Sequence, residues 1–252
     1  MHVEVRGLEP GRWYHYRFML GQATSATGRT CTAPALDALP GRLRVAFASC
    51  QRWEHGHYAA WRHVCNDQPD LVLFLGDYIY EYPSPPTALR RHEGGLLRTL
   101  GQYRERYAQY KSDPALQDAH AACPWLLVWD DHEVENDYAG GHPTTPLGAD
   151  MGVLRAVAYQ AYWEHQPFAK AQRPSGPDMR IVGRLEDHHA PALADRDHDP
   201  PIREREHAHA EPRGDEPPDD ERRRPAAHFG FLSTNAASTG HKFVTDPRWR
   251  VT

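Results

Sequence analysis

The 252 residues suffice for one large domain or two modest ones, since domains usually run to about 100–200 residues, so length does not limit the core. A formal charge of −5, with acidic and basic side chains interspersed, leaves no basic face for nucleic acid and keeps phosphate-bearing small molecules open. Cys31, Cys50, Cys65 and Cys123 are too few and too scattered for a disulfide framework, and they form no Cys-x-x-Cys pair of the zinc type.

Residues 1–39 read as the C-terminal part of a β-sandwich followed by a linker. Apolar and polar residues alternate over 2–6, 13–19 and 28–33, Glu9-Pro10-Gly11 supplies turn material, and Pro34 and Pro40 mark 33–41 as the linker. Residues 1–6 lack the charged head, apolar run and cleavage site of a signal peptide, and no apolar run nears the roughly 20 residues that span a bilayer. From 40 to 184, short apolar runs alternate with helical periodicity, the pattern of an α/β layered domain. Strands are expected over 43–48, 71–75 and 125–129, each apolar enough for burial on both faces.

Helices are expected over 58–64, 100–110, 113–122 and 152–165. Leu100, Tyr103, Tyr107 and Tyr110 recur at helical spacing, Asp113 stands as a cap before Pro114, and Leu154, Val157, Ala158, Ala161 and Tyr162 line one face. Residues 185–227 are rich in Asp, Glu, Arg, His and Pro, cannot bury enough apolar surface to offset ordering entropy, and are expected to be disordered. The histidines at 188, 189, 198, 207 and 209 suggest metal by composition, but with no scaffold around them they are assigned no site. A terminal strand is expected within 228–252, over 242–245 or 248–252.

In an open α/β sheet, reactive groups collect past the carboxyl ends of the strands. The first strand here runs into Ser49-Cys50-Gln51, the second into Gly76-Asp77-Tyr78-Ile79-Tyr80-Glu81, and the third into Asp130-Asp131-His132-Glu133. Phosphate-ester hydrolysis needs positive charge on the transferring oxygens and a deprotonated water, which paired metals provide. Asp77 is the candidate bridging carboxylate; its plain alternative is a turn or helix-capping acid. Three carboxylates around His132 repel one another unless a cation is near.

Cys50 and Tyr80 are anionic donors suited to ferric iron, and Asp131 with water suits calcium. The alternatives are a small buried apolar residue for Cys50 and a packed aromatic for Tyr80. His132 is the candidate proton donor to the leaving oxygen, or else a histidine hydrogen-bonded within the acidic cluster. Arg91, in Arg90-Arg91-His92, lies on a loop that either orients a phosphate or is simply solvated. Cys65 and Cys123 read as structural.

Four segments carry a resemblance to the PhoD-like alkaline phosphatases, a metallophosphatase family also described as alkaline phosphatase D or phospholipase D-like. They are Phe47-Ala48-Ser49-Cys50-Gln51, Leu75 to Glu81, Tyr103 to Tyr110, and Trp129-Asp130-Asp131-His132-Glu133-Val134-Glu135-Asn136. The resemblance covers about residues 1–184. It implies an extracellular or periplasmic hydrolase of phosphomonoesters and phosphodiesters that uses iron and calcium and acts as a monomer on small phosphate esters. Its implied fold is a metallophosphatase-like α/β/β/α layered domain, incomplete here, behind a partial fibronectin- or immunoglobulin-like sandwich. By the same resemblance Cys50 and Tyr80 look like iron ligands, Asp77 the bridging carboxylate and Asp131 a calcium ligand.

The sequence departs from the family at the late Gly-Asp-x-His segment that supplies further ligands. Gly214-Asp215 sits among prolines and charges with no strand before it, whereas Val244-Thr245-Asp246-Pro247-Arg248-Trp249 resembles the family's last strand. A shortened or out-of-frame stretch over about 186–227 would account for this, and impaired activity would follow. Two rival expectations are a noncatalytic interaction protein and an inactive remnant of the same fold.

Overall fold

The computed structural model describes residues 2–143, 150–180, 229–233 and 250–251. The stretch 185–227, expected to be disordered, and the candidate strand at 242–245 lie outside the described residues. In chain order the elements are β1 (Trp13–Tyr16), β2 (Phe18–Leu20), β3 (Ala23–Thr24), β4 (Gly28–Cys31), β5 (Arg44–Ala48), α1 (Ala59–Asn66) and β6 (Leu71–Leu75). Then follow α2 (Leu100–Lys111), α3 (Pro114–Ala122), β7 (Trp125–Val128), α4 (Met151–His165), β8 (Phe229–Ser233) and β9 (Arg250–Val251).

The fold is mixed α/β around a four-stranded sheet of order β7-β6-β5-β8. β5, β6 and β7 run parallel, with Ala46 opposite Val72 and Phe74 opposite Leu127, and β8 closes one edge antiparallel to β5. Parallel neighbours cannot be joined by a tight turn. Accordingly α1 connects β5 to β6, and α2 with α3 connects β6 to β7.

Among the described residues the strand runs are buried mainly on one face, although Val45 on the other is also buried. Ala46, Ala48, Val72, Phe74, Trp125 and Leu127 alternate onto the face packed beneath the helices, while Leu75 and Val128 on the other face remain 49% and 41% exposed. Strand side chains point alternately to opposite faces, so an unbroken apolar run does not say which face is covered. On the covered face, Trp61 of α1 packs against Trp125 at 4.8 Å between ring centroids, and Phe74 stacks on Trp125 at 6.0 Å. Trp61 is buried, and truncating it to alanine is expected to cost about 3–5 kcal/mol.

Local signals fix the helix starts. Thr99 and Gln102 form a reciprocal capping box at α2. Asp113 accepts the amides of Ala115 and Leu116 before α3, where Pro114 fills the first position at no loss of a hydrogen bond. Asp150 accepts the amide of Gly152 at α4.

The expected strand over 13–19 breaks at Arg17: β1 pairs antiparallel with β4, and β2 pairs with β3 and β9. Residues 2–6, expected as a strand, form none. The segment is held by tertiary contacts instead, His2 stacking on Trp163 at 3.8 Å and its Nδ1 lying 3.0 Å from the Phe168 carbonyl. Among the described residues no helix is long and apolar enough to cross a membrane.

Candidate metal centre

The parallel strands end in loops whose backbone is unusually bent. Cys50 and Asp77, each two residues past its strand, both have a φ of 56°, a conformation that L residues other than glycine seldom adopt. The loops continue the β5–β6 ladder: the Cys50 amide donates to Gly76 O and the Gln51 amide to Asp77 O, each at 3.2 Å. Gly76 makes the approach to the third loop possible. Its φ is +98°, and a Cβ there would lie 2.4 Å from Asp130 Cβ.

Ligand atoms of Asp77, Asp131 and His132 lie within 4.8 Å of one another. Asp77 Oδ2 accepts the Tyr80 hydroxyl at 2.9 Å, and Oδ1 is buried with no hydrogen-bond partner. Burial pushes the Tyr80 phenol up, and the Asp77 carboxylate and Cys50 push it further. The Cys50 thiol is likewise raised by burial and by Asp77, and it interacts with both Asp77 and Tyr80. Both shifts favour the protonated phenol and thiol.

His132 is oriented by Glu81, whose Oε2 lies 2.8 Å from Nδ1. That bond leaves Nε2 as the nitrogen free to act on a ligand, the arrangement in which an acid fixes the tautomer of a functional histidine. Burial lowers the basicity of His132, but the Glu81 bond and the Asp77 and Asp131 charges outweigh it, and the net shift is upward. Asp130 is raised by burial and by its neighbours Asp131 and Asp77. Asp131 Oδ2 accepts the Asp137 amide.

An unsatisfied buried carboxylate oxygen, a second acid and an imidazole converging on one point form a donor set that fits a cation. Asp77, Tyr80, Asp131 and His132 are thus brought together, with Cys50 against them. Arg91 is not: it is exposed, donates to the Pro86 carbonyl at 2.6 Å, and makes none of the contacts that join this group. Arg90, beside it, pairs with Asp113 at 2.7 Å.

Several neighbours of the site were not singled out from sequence. Arg52 lies over the Tyr80 ring at 4.7 Å and the Tyr82 ring at 5.3 Å, bringing a cation onto the group. Its position two residues past Cys50 was the available signal. Glu81 carried no role in the sequence, Glu133 counted there among the three carboxylates around His132 but accepts backbone amides instead, and Arg106 gave no signal beyond its place in a tyrosine-rich helix.

Residues 45–187 match the family described as "PhoD-like phosphatase", and residues 1–34 match "PhoD-like phosphatase, N-terminal domain". The chain belongs to the PhoD-like phosphatase family. Alkaline phosphatase D of Bacillus subtilis (strain 168) is 48% identical over 187 residues, covering 72% of this chain and 32% of that protein. A solved structure described as "Structure of PhoD" superposes with a TM-score of 0.68 at 48% identity, covering 71% of this chain and 36% of that one. The chain therefore spans 32% and 36% of the lengths of these two PhoD-like relatives. All three strand-end loops of the candidate site fall inside the matched phosphatase region.

Proposed function

We propose that this chain carries the metal-binding part of a phosphoric ester hydrolase that acts on small phosphomonoesters and phosphodiesters. The observation that carries the reading is the convergence of Asp77, Asp131 and His132 within 4.8 Å around an unpartnered Asp77 oxygen. Bound cations would supply positive charge for the phosphoryl oxygens and acidify a water.

In this reading Asp77 would serve as the bridging carboxylate, Cys50 and Tyr80 as anionic donors to ferric iron, and Asp131 as a calcium ligand. The phenol and the thiol, both raised by burial and by Asp77, ionise when a cation sits beside them. His132, fixed through Nδ1 by Glu81, presents Nε2 to protonate the leaving oxygen. Arg52 holds a guanidinium beside Tyr80, where it meets a phosphate approaching the group. Arg91, on the connection between β6 and β7, would orient the phosphate.

The N-terminal strands belong to a sandwich domain, a reading supported by the antiparallel β1–β4 pair and the N-terminal family match. Residues 1–39 and 40–184 are the corresponding divisions, and the protein works as an extracellular or periplasmic monomer. Reduced turnover is proposed because the late Gly-Asp-x-His ligand segment is not found in these 252 residues.

Elemental analysis of the purified chain, alongside hydrolysis of a chromogenic phosphodiester and phosphomonoester, tests the proposal. Asp77→Asn should lose both metal and hydrolysis. A variant that retains both overturns it.

A further inference from the structure

A cavity of about 320 Å³ separates the N-terminal strands from the end of α3, β7 and the segment after α4. It shares no lining residue with the candidate metal centre. Lys111 enters it from the end of α2, donating to Gln166 Oε1 at 3.3 Å and lying 4.9 Å from the Tyr78 ring centroid. Among the described residues no carboxylate pairs with Lys111. Glu164 also lines the cavity, but Arg104 takes its two oxygens at 2.6 and 2.7 Å.

Three further polar atoms on this cavity are buried with no hydrogen-bond partner among the described residues: Thr30 Oγ1, Gln166 Nε2 and His2 Nε2. Each such group carries an unrelieved desolvation cost, and a desolvated ammonium carries a larger one. Burial pushes the Lys111 amine down to about 7, in keeping with a cation that has no counter-charge. Lys111, the Gln166 amide and the Thr30 hydroxyl are all donors, and Arg29 adds a second cation on the same wall. His2 Nε2 is the exception among the unpartnered atoms: its Nδ1 donates to the Phe168 carbonyl, so Nε2 accepts. Phe18, Trp125 and Phe168 supply apolar walls, and the volume sits near the lower end of the roughly 300–1,000 Å³ usual for small-molecule sites.

We propose that this cavity binds a small organic oxyanion, its charged head on Lys111, Gln166 and Thr30 and its carbon body against Phe18 and Phe168. The site is independent of the phosphoesterase reading.

Calorimetric titration of the full chain with benzoate, phenylphosphonate and the uncharged benzamide tests this. At least one of the two acids should bind, the stronger one showing whether the head is a carboxylate or a phosphoryl group, and benzamide should not. Lys111→Met should weaken the acid at least about tenfold, equivalent to about 1.4 kcal/mol. Asp77→Asn should leave it unchanged, which separates this cavity from the metal centre.

Acetic anhydride labelling of the wild-type chain, read by mass spectrometry, decides the matter if Lys111→Met fails to fold. With the acid at about ten times its Kd, Lys111 should label roughly tenfold more slowly, and the exposed Lys170 should not change. No binding of either acid, equal binding of benzamide, or an unaltered Lys111 labelling rate overturns the proposal.

Discussion

Glu133 holds Asp77 in place from the neighbouring strand end: its Oε2 accepts the Asp77 backbone amide at 3.1 Å. The same oxygen accepts the Asp130 amide at 2.9 Å, and Oε1 accepts the Tyr78 amide. One fully buried carboxylate thus clamps the loops after β6 and β7 to each other. Burial pushes its pKa up to about 8, with the three amide donors pulling the other way. Glu133→Gln keeps the shape but turns an NH₂ toward a backbone donor, leaving buried groups unsatisfied. The variant should lose about 2–4 kcal/mol in urea unfolding and hold less metal; stability within about 0.5 kcal/mol of the parent contradicts the clamp.

Gly76→Ala tests the closeness of those loops from the other side. Its added Cβ meets Asp130 Cβ at 2.4 Å and Asp130 N at 2.8 Å, on a backbone at φ +98°. Because the nearest obstacles are backbone and Cβ atoms, no side-chain rotation relieves them. A loss of at least about 2 kcal/mol is expected from strain and overpacking together. Guanidinium chloride unfolding gives the value, and metal content of the surviving folded fraction should drop in step.

The His132–Glu81 pair sets a pH dependence in the metal-free protein. The folded value of His132 lies above its unfolded one, so its contribution to stability is complete below about pH 6.5 and fades as pH rises through the folded value. Glu81→Gln removes the charge that raises it and leaves at most a neutral amide oxygen to accept from Nδ1. The His132 ring resonances should then titrate at lower pH by NMR, and the melting-temperature advantage of the parent at acidic pH should shrink. Coincident titration curves for the two proteins would reject Glu81 as the orienting acid.

Arg106→Lys examines the wall behind Tyr80. The buried guanidinium of Arg106 donates to the carbonyls of Tyr80 and Tyr82 and, at 3.3 Å each, to those of Glu93 and Gly95. It thereby ties α2 to the long connection that follows Asp77. An ammonium has no planar fork and cannot span these acceptors. The charge-conserving variant should cost about 2–4 kcal/mol by thermal or urea unfolding, and limited proteolysis should cut first between residues 82 and 97.

The elements that the sequence made legible are those governed by local rules. β6 has the expected limits, Leu71 to Leu75, because five apolar residues stand between Asp70 and Gly76. α3 begins where Asp113 and Pro114 place it, through a cap the side chain completes by itself. Residues 2–6 mislead because their alternation reflects packing rather than pairing: Val3 is 4% exposed without belonging to a sheet. A strand needs a partner ladder, and nothing in these five residues announces one. β8 went unlocated within 228–252 because its ladder partner, β5, is about 185 positions distant in the chain.

By itself the sequence determined the strand–helix alternation, the helix caps and the arrival of Cys50, Asp77, Asp131 and His132 at three strand ends, since these follow from periodicity and local hydrogen bonding. Tertiary structure alone decided that Glu133 turns inward to backbone amides, that Glu81 fixes the imidazole, that Arg52 rather than Arg91 stacks on the donor group, and that Lys111 faces a cavity with no carboxylate paired to it among the described residues. The division has a physical cause. Periodicity reports which residues leave water, whereas the role of a buried charge is set by partners that the chain brings near only after its strands have aligned.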